Sequence, residues 1–183
     1  GLRCAAMEVS SHAIDYHRVD GVKYAVAGFT NLTQDHLDLH GTMEHYFESK
    51  AQLFTPERAE LAVITADDSW GEKMHASAAE RMGAEHVHRL VTARGAGLAE
   101  VPAGFGERDW AVVRVQREGL GHRFHLENGT GESIECYTGL PADFNVSNAA
   151  LAALMAYLDT DAAERELLLP ALAAGPALTP VVP

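Results

Sequence analysis

Short apolar runs alternate with helical stretches along the first half of the chain. Arg3 to Val9 is apolar and short, which predicts a buried strand, and Tyr24 to Thr30 repeats the pattern. A polar turn, NLTQDHLDLHG, follows from Asn31 to Gly41. Thr42 to Phe54 predicts a helix, with Thr42 as its cap and Met43, Tyr46, Phe47 and Leu53 near helical spacing. Leu61 to Thr65 predicts another strand, Ser69 to Met82 a helix, and His86 to Val91 a further strand. Such alternation predicts an α/β fold, a mostly parallel sheet flanked by helices.

The pattern then changes. Ala111 to Gln116, His122 to Glu127 and Ser133 to Thr138 read as three strands separated by the turn signals REGLG and ENGTG, a small antiparallel β-meander. An alanine- and leucine-rich helix over Asn145 to Leu158 and a second over Asp161 to Ala173 close the series. Asn145 is placed to cap the first of these.

A net charge of −12 argues against a nucleic-acid or anionic-membrane partner, although a few local donors and a metal can still hold a nucleotide. Cys4 and Cys136 lie far apart in strand-like runs, which fits a reducing compartment, the cytoplasm, and neither a disulfide framework nor a CxxC metal site. No apolar run approaches the roughly 18–20 residues that a membrane span needs. The N-terminus reads as a strand entering a loop and the C-terminus as a proline-containing loop, so both ends are expected to be cuts through a longer chain.

Three polar features fall at the ends of neighbouring strands or on the helix that follows: Glu8-Val9-Ser10-Ser11-His12, Asp35-His36-Leu37-Asp38, and Lys50. In an open α/β sheet the crevice beyond the carboxyl ends of the strands is the usual ligand site. A carboxylate and an imidazole, Glu8 and His36, could share one hard divalent cation, leaving positions for water and substrate phosphate. On spacing alone, the plainer reading of each of these residues is the better one: a solvated carboxylate, a capping or packing histidine, a surface lysine.

The longer strings are more specific. MEVSSHAIDYHRV, followed by FTNLTQDHLDLHGTMEHYFESKAQLF, resembles the central domain of the Mur ligase family, in particular its tripeptide-synthetase (MurE-type) branch. ITADDSWG and DFNVSNAALA extend the resemblance in order, and the meander matches only in type. The resemblance implies a P-loop-NTPase-like central domain. It implies magnesium ligation by Glu8 and His36, and a carbon dioxide adduct (N6-carboxylysine) on Lys50 that supports a second magnesium. A carbamate offers a hard anionic oxygen where an ammonium would repel the ion.

It further implies contacts of Ser10, Tyr16 and Arg18 with the UDP-sugar-peptide acceptor, and of Asn145 and Asn148 with the nucleotide. Tyr16 departs from the glutamine common at that position. Asp67 and Asp68 match the family string but read as an acidic helix start. His86 and His88 read as surface or packing residues.

The implied activity is ATP-dependent addition of a diamino acid to UDP-MurNAc-L-Ala-D-Glu through an acyl phosphate, in peptidoglycan synthesis. No GxxxxGK[ST] string occurs, so residues 1–183 are expected to be a partial central domain. It would lack the phosphate loop, the UDP-binding domain and the C-terminal domain, and would be inactive and poorly soluble alone. The competing expectations are a folylpolyglutamate-synthase-like ligase, a non-catalytic binding fragment, and a zinc hydrolase using His36, Asp38, His40 and either His12 or His17.

Overall fold

The computed structural model describes residues 4–33 and 41–175. Six strands form one sheet in sequence order: β1 (Tyr24–Phe29), β2 (Ala59–Thr65), β3 (Val87–Val91), β4 (Asp109–Glu118), β5 (Gly121–Asn128) and β6 (Ser133–Thr138). β1 to β4 are parallel, and β4 to β6 form the antiparallel meander. The helices are α1 (Ser11–Asp15), α2 (Met43–Ala51), α3 (Ser69–Met82), α4 (Asp143–Leu158) and α5 (Ala162–Ala174).

Parallel strands joined by helical crossovers are covered on both faces, so their sequences run apolar instead of alternating. The middle of the sheet obeys this rule. Ala62 and Ile64 face one way with Phe47, Met74 and Ala78, the inner faces of α2 and α3. Val63 faces the other way with Leu90, Trp110, Phe124, Val146 and Leu154, where α4 packs and α5 adds Leu168 and Leu172. The result is a three-layer sandwich around a doubly covered sheet.

Two close approaches set its dimensions. A Cβ on Gly28 would lie 2.5 Å from Met155 Sδ, so the bare backbone of β1 lets α4 settle onto it. A Cβ on Gly71 would lie 2.4 Å from the Thr65 carbonyl oxygen, so the first turn of α3 rests directly on the end of β2. In the meander, Arg123 donates to Glu118, Glu135 and the carbonyl of Ala173, tying β5 to the last turn of α5.

Two expectations need correction. Cys4–Ser10 forms no strand and is largely exposed: a strand requires a ladder partner, and this segment has none among the described residues. Asn145 is not a cap. Ala142 holds that position, and the Asn145 side chain, inside the first turn of α4, donates to the Pro141 carbonyl. Thr42 and Asp68 do cap α2 and α3, accepting from the backbone N–H of His45 and of Trp70 and Gly71.

His88, on β3, is packed into the sheet with its Nδ1 unpartnered, as expected of a packing residue. Burial, with help from the nearby Arg108, pushes its pKa down to about 4 from an ordinary 6.5. The unfolded chain therefore takes up a proton near pH 6.5 that the folded chain refuses. The stability due to the neutral ring is complete above that pH and drains away as the pH falls toward 4. Between pH 7 and pH 5 the loss should reach at most about 2 kcal/mol. Denaturant midpoints at the two pH values should show it, and His88→Gln should reduce the difference, leaving the smaller part due to His75, which burial also holds below its ordinary pKa.

Candidate active site

One cavity runs along β1 and a second opens beside the carboxyl ends of β1 and β2, and Asn148 and Leu151 of α4 wall both. The first, of about 510 Å³, is lined by Glu8, Ser10, His12, Tyr46, Lys50 and Asn148, with β1 forming its floor. The segment before α1 brings Glu8 and Ser10, α2 brings Lys50, and α4 brings Asn148. Four of the candidates read from the sequence therefore meet in one place, from three regions far apart in the chain.

The chemistry of the pair Glu8 and Lys50 follows from their surroundings. Glu8 is exposed to the cavity, while Lys50 is half-buried with its Nζ 5.1 Å from the Tyr46 ring. Burial holds the Lys50 ammonium below the ordinary lysine range; the negative charge of Glu8 pulls the other way and does not restore it. Ser10 caps α1, accepting from the Ala13 N–H at 3.2 Å, and remains exposed. Neighbouring Ser11 is buried.

Tyr16 and Arg18 are not brought into this cavity. Both are exposed beyond the end of α1, where the Arg18 guanidinium stacks 5.4 Å over the Tyr16 ring. Asn145 lines neither cavity, one turn of helix before Asn148. His36 lies outside the described residues, as do Asp38 and His40 of the zinc expectation. Among the described residues no group of three or more His, Cys, Asp or Glu side chains gathers to hold a metal.

The second cavity, of about 370 Å³, is lined by Thr30, Thr65, Asp68, Arg94, Phe144 and Asn148, among others. Asp67 stands at its base and is the feature that sequence reasoning undervalued. Its carboxylate accepts the backbone N–H groups of Thr92, Ala93 and Arg94 at 2.6, 3.0 and 2.9 Å, and the Thr92 hydroxyl as well. The Thr92 hydroxyl proton goes to Asp67, so the Ser147 hydroxyl, 2.5 Å away, donates to Thr92. The ends of β2 and β3 and the second turn of α4 are thus pinned at one fully buried oxygen. Only the doublet Asp67-Asp68 hinted at this in the sequence.

The chain matches the family model described as Mur ligase middle domain over residues 1–156. It is 39% identical over 156 residues to the UDP-N-acetylmuramyl-tripeptide synthetase of Leifsonia xyli, an alignment covering 85% of this chain and 27% of that protein. It is 53% identical over 152 residues to the UDP-N-acetylmuramoyl-L-alanyl-D-glutamate–2,6-diaminopimelate ligase of Parasynechococcus marenigrum, covering 81% of this chain and 27% of that one. The chain thus spans about a quarter of the length of these relatives.

Among solved structures, a UDP-N-acetylmuramoyl-L-alanyl-D-glutamate–2,6-diaminopimelate ligase superposes with a TM-score of 0.70 at 26% identity, over 92% of this chain and 32% of that one. The folylpolyglutamate synthetase of Lactobacillus casei shares the fold, with a TM-score of 0.56 at 20% identity over 82% of this chain and 33% of that one.

Asp67→Ala would leave three backbone N–H groups and a buried hydroxyl without their acceptor. It should destabilise the protein by about 3 kcal/mol, read from denaturant unfolding. Ala142, at φ 75° and ψ 143°, occupies a backbone region open essentially only to glycine. Ala142→Gly should therefore stabilise by about 1 kcal/mol despite the extra freedom it gives the unfolded chain, measured in the same way.

Proposed function

Since the chain belongs to the Mur ligase family by its middle domain, we propose that it supplies the metal- and lysine-bearing part of an ATP-dependent, amide-forming ligase. The acceptor is UDP-MurNAc-L-Ala-D-Glu and the residue added is a diamino acid. The names of the two relatives described above support that choice of branch. The phosphate loop, the UDP-binding domain and the domain that selects the amino acid would belong to the rest of a longer polypeptide, in keeping with the quarter-length match.

The observation that carries the proposal is the convergence of Glu8 and a burial-depressed Lys50 on one cavity that Ser10 and Asn148 also line. A half-buried lysine with a lowered pKa holds more free amine than a surface lysine at the same pH. Free amine adds carbon dioxide, releasing a proton and leaving a carbamate. One exposed carboxylate beside one potential carbamate fits magnesium, which takes oxygen ligands and keeps much of its own water. Glu8 and His36 are the residues that would hold one such ion, and carbamylated Lys50 would support a second. Bound there, magnesium would neutralise charge between nucleotide and acceptor.

The terminal carboxylate of the acceptor would attack the γ-phosphate of ATP, giving ADP and an acyl phosphate. The amine of the incoming amino acid would then displace phosphate to leave the amide. The residues of this chain bind and orient. Ser10 offers an exposed hydroxyl at the cavity mouth, and Asn148 offers an amide to the nucleotide from the wall between the cavities. Arg18, stacked on Tyr16, would meet the acceptor outside the cavity with its guanidinium fork held ready. Asn145, committed to the Pro141 carbonyl, would support the helix start near the nucleotide.

The test is made on the full-length protein. In 13C-bicarbonate, a carbamate carbon resonance should appear, grow as the pH is raised, and vanish in Lys50→Arg. Lys50→Ala should lower ATP-dependent ligation by about a hundredfold or more, an effect of the size expected when charge stabilisation is removed. A Lys50→Ala enzyme with normal turnover, or no Lys50-dependent carbamate signal at any pH, would defeat the proposal.

A further inference from the structure

The turn that follows β3 is strained in a way that nothing in the sheet requires. Ala93 and Arg94 are consecutive non-glycine residues in the left-handed region, at φ 49° and 56°. Side-chain-bearing residues rarely take that conformation singly, and two in succession persist only where surrounding contacts impose them. Here the imposing group is Asp67, which takes the N–H groups of Thr92, Ala93 and Arg94 together. Behind the turn, Gly95 lies so close to α4 that a Cβ there would sit 1.7 Å from the Asp143 carbonyl oxygen. The turn is therefore clamped from below by a carboxylate and from behind by a helix start.

The side chain that this clamp presents is Arg94. It is 78% exposed and lines the second cavity with Phe144 and Asn148. Among the described residues its one ion pair, with Asp68 Oδ2 at 3.9 Å, is long. Neither carboxylate of the cavity depends on it for neutralisation. Asp67 is met by three N–H groups and a hydroxyl, and Asp68 by the two N–H groups at the start of α3. An arginine whose fork donors are largely unused among the described residues, at the carboxyl ends of parallel strands, is suited to an anion of phosphate geometry.

We propose that Arg94 is a ligand-binding residue that holds a phosphate group of the bound nucleotide or of the UDP-linked acceptor in the second cavity, and that the strained turn exists to aim it there. The inference rests on the ligase reading above and extends it to a residue which that reading does not use. The strain makes it testable, because geometry and charge can be removed separately. Ala93→Gly relieves one left-handed residue and leaves the guanidinium in place. Arg94→Ala removes the guanidinium and leaves the backbone restrained by Asp67.

The experiment measures binding of magnesium–ATP, of UDP-MurNAc-L-Ala-D-Glu and of adenosine to the full-length protein by titration calorimetry, alongside thermal melting. Arg94→Ala should melt no lower than the parent yet bind one of the two phosphate-bearing ligands roughly ten- to a hundredfold more weakly, the range for losing a charge-assisted contact. The ligand affected identifies whose phosphate is held. Adenosine binding should not change, and Ala93→Gly should melt higher while binding as the parent does. Unaltered affinity of Arg94→Ala for both phosphate ligands overturns the proposal, as does an equal loss for adenosine. A parent protein that binds neither phosphate ligand would instead overturn the ligase reading on which the proposal stands.

Discussion

The junction between the ends of β2 and β3 and the helix α4 depends on a single buried hydroxyl, that of Thr92. It donates to Asp67, receives a hydrogen bond from Ser147, and so joins the ends of two strands to the helix that covers them. A group with no exposure must find its partners inside the protein, and a network that leaves any member unmatched is worse than none. Here each carboxylate oxygen of Asp67 and the Thr92 hydroxyl have partners. That satisfaction lets an acidic side chain sit at the base of a cavity on hydrogen bonds from the backbone and a hydroxyl.

From that junction the site is assembled by the architecture of the sheet. Parallel strands deliver all their carboxyl ends to one side, and β1 and β2 are each followed by a helix that returns across the sheet. Residues 4–10, α2 and α4 approach this side from three directions, which explains how Glu8, Lys50 and Asn148 can share one cavity across 140 residues of sequence. The two hydrophobic layers hold these elements rigidly enough for the approach to be reproducible, with α2 and α3 on one face and α4 and α5 on the other. The meander enlarges the sheet at the opposite edge from β1 and contributes nothing to either cavity.

Much of this was legible in the residues. The spans of α3 and β6 coincide with those read from periodicity, and the other strands from β1 onward differ by a residue or two at their ends, because apolar runs bounded by polar turns leave little latitude. Cys4–Ser10 misled because its apolar character is that of a strand while the strand state also needs a neighbour. Asn145 misled because asparagine favours caps, yet the actual break in the chain is at Ala142, a residue with no such preference. The roles of Asp67, Thr92, Ser147 and Arg94 were hidden for a different reason. Their contacts span 25 to 55 residues of sequence, and no local pattern encodes which threonine an aspartate will meet. Lys50 and Glu8 became visible through a long continuous string, not through their own spacing.

The bare backbone at Gly28 has a consequence beyond packing. Asn148, Leu151 and Met155 lie on the stretch of α4 that this glycine admits to β1, and the first two of them wall both cavities. The separation between the lysine compartment and the arginine compartment is therefore gauged by the absence of a single methyl group. A change there would disturb both chambers together, so a position that contributes no atom to the chemistry acts as the spacer between its two halves.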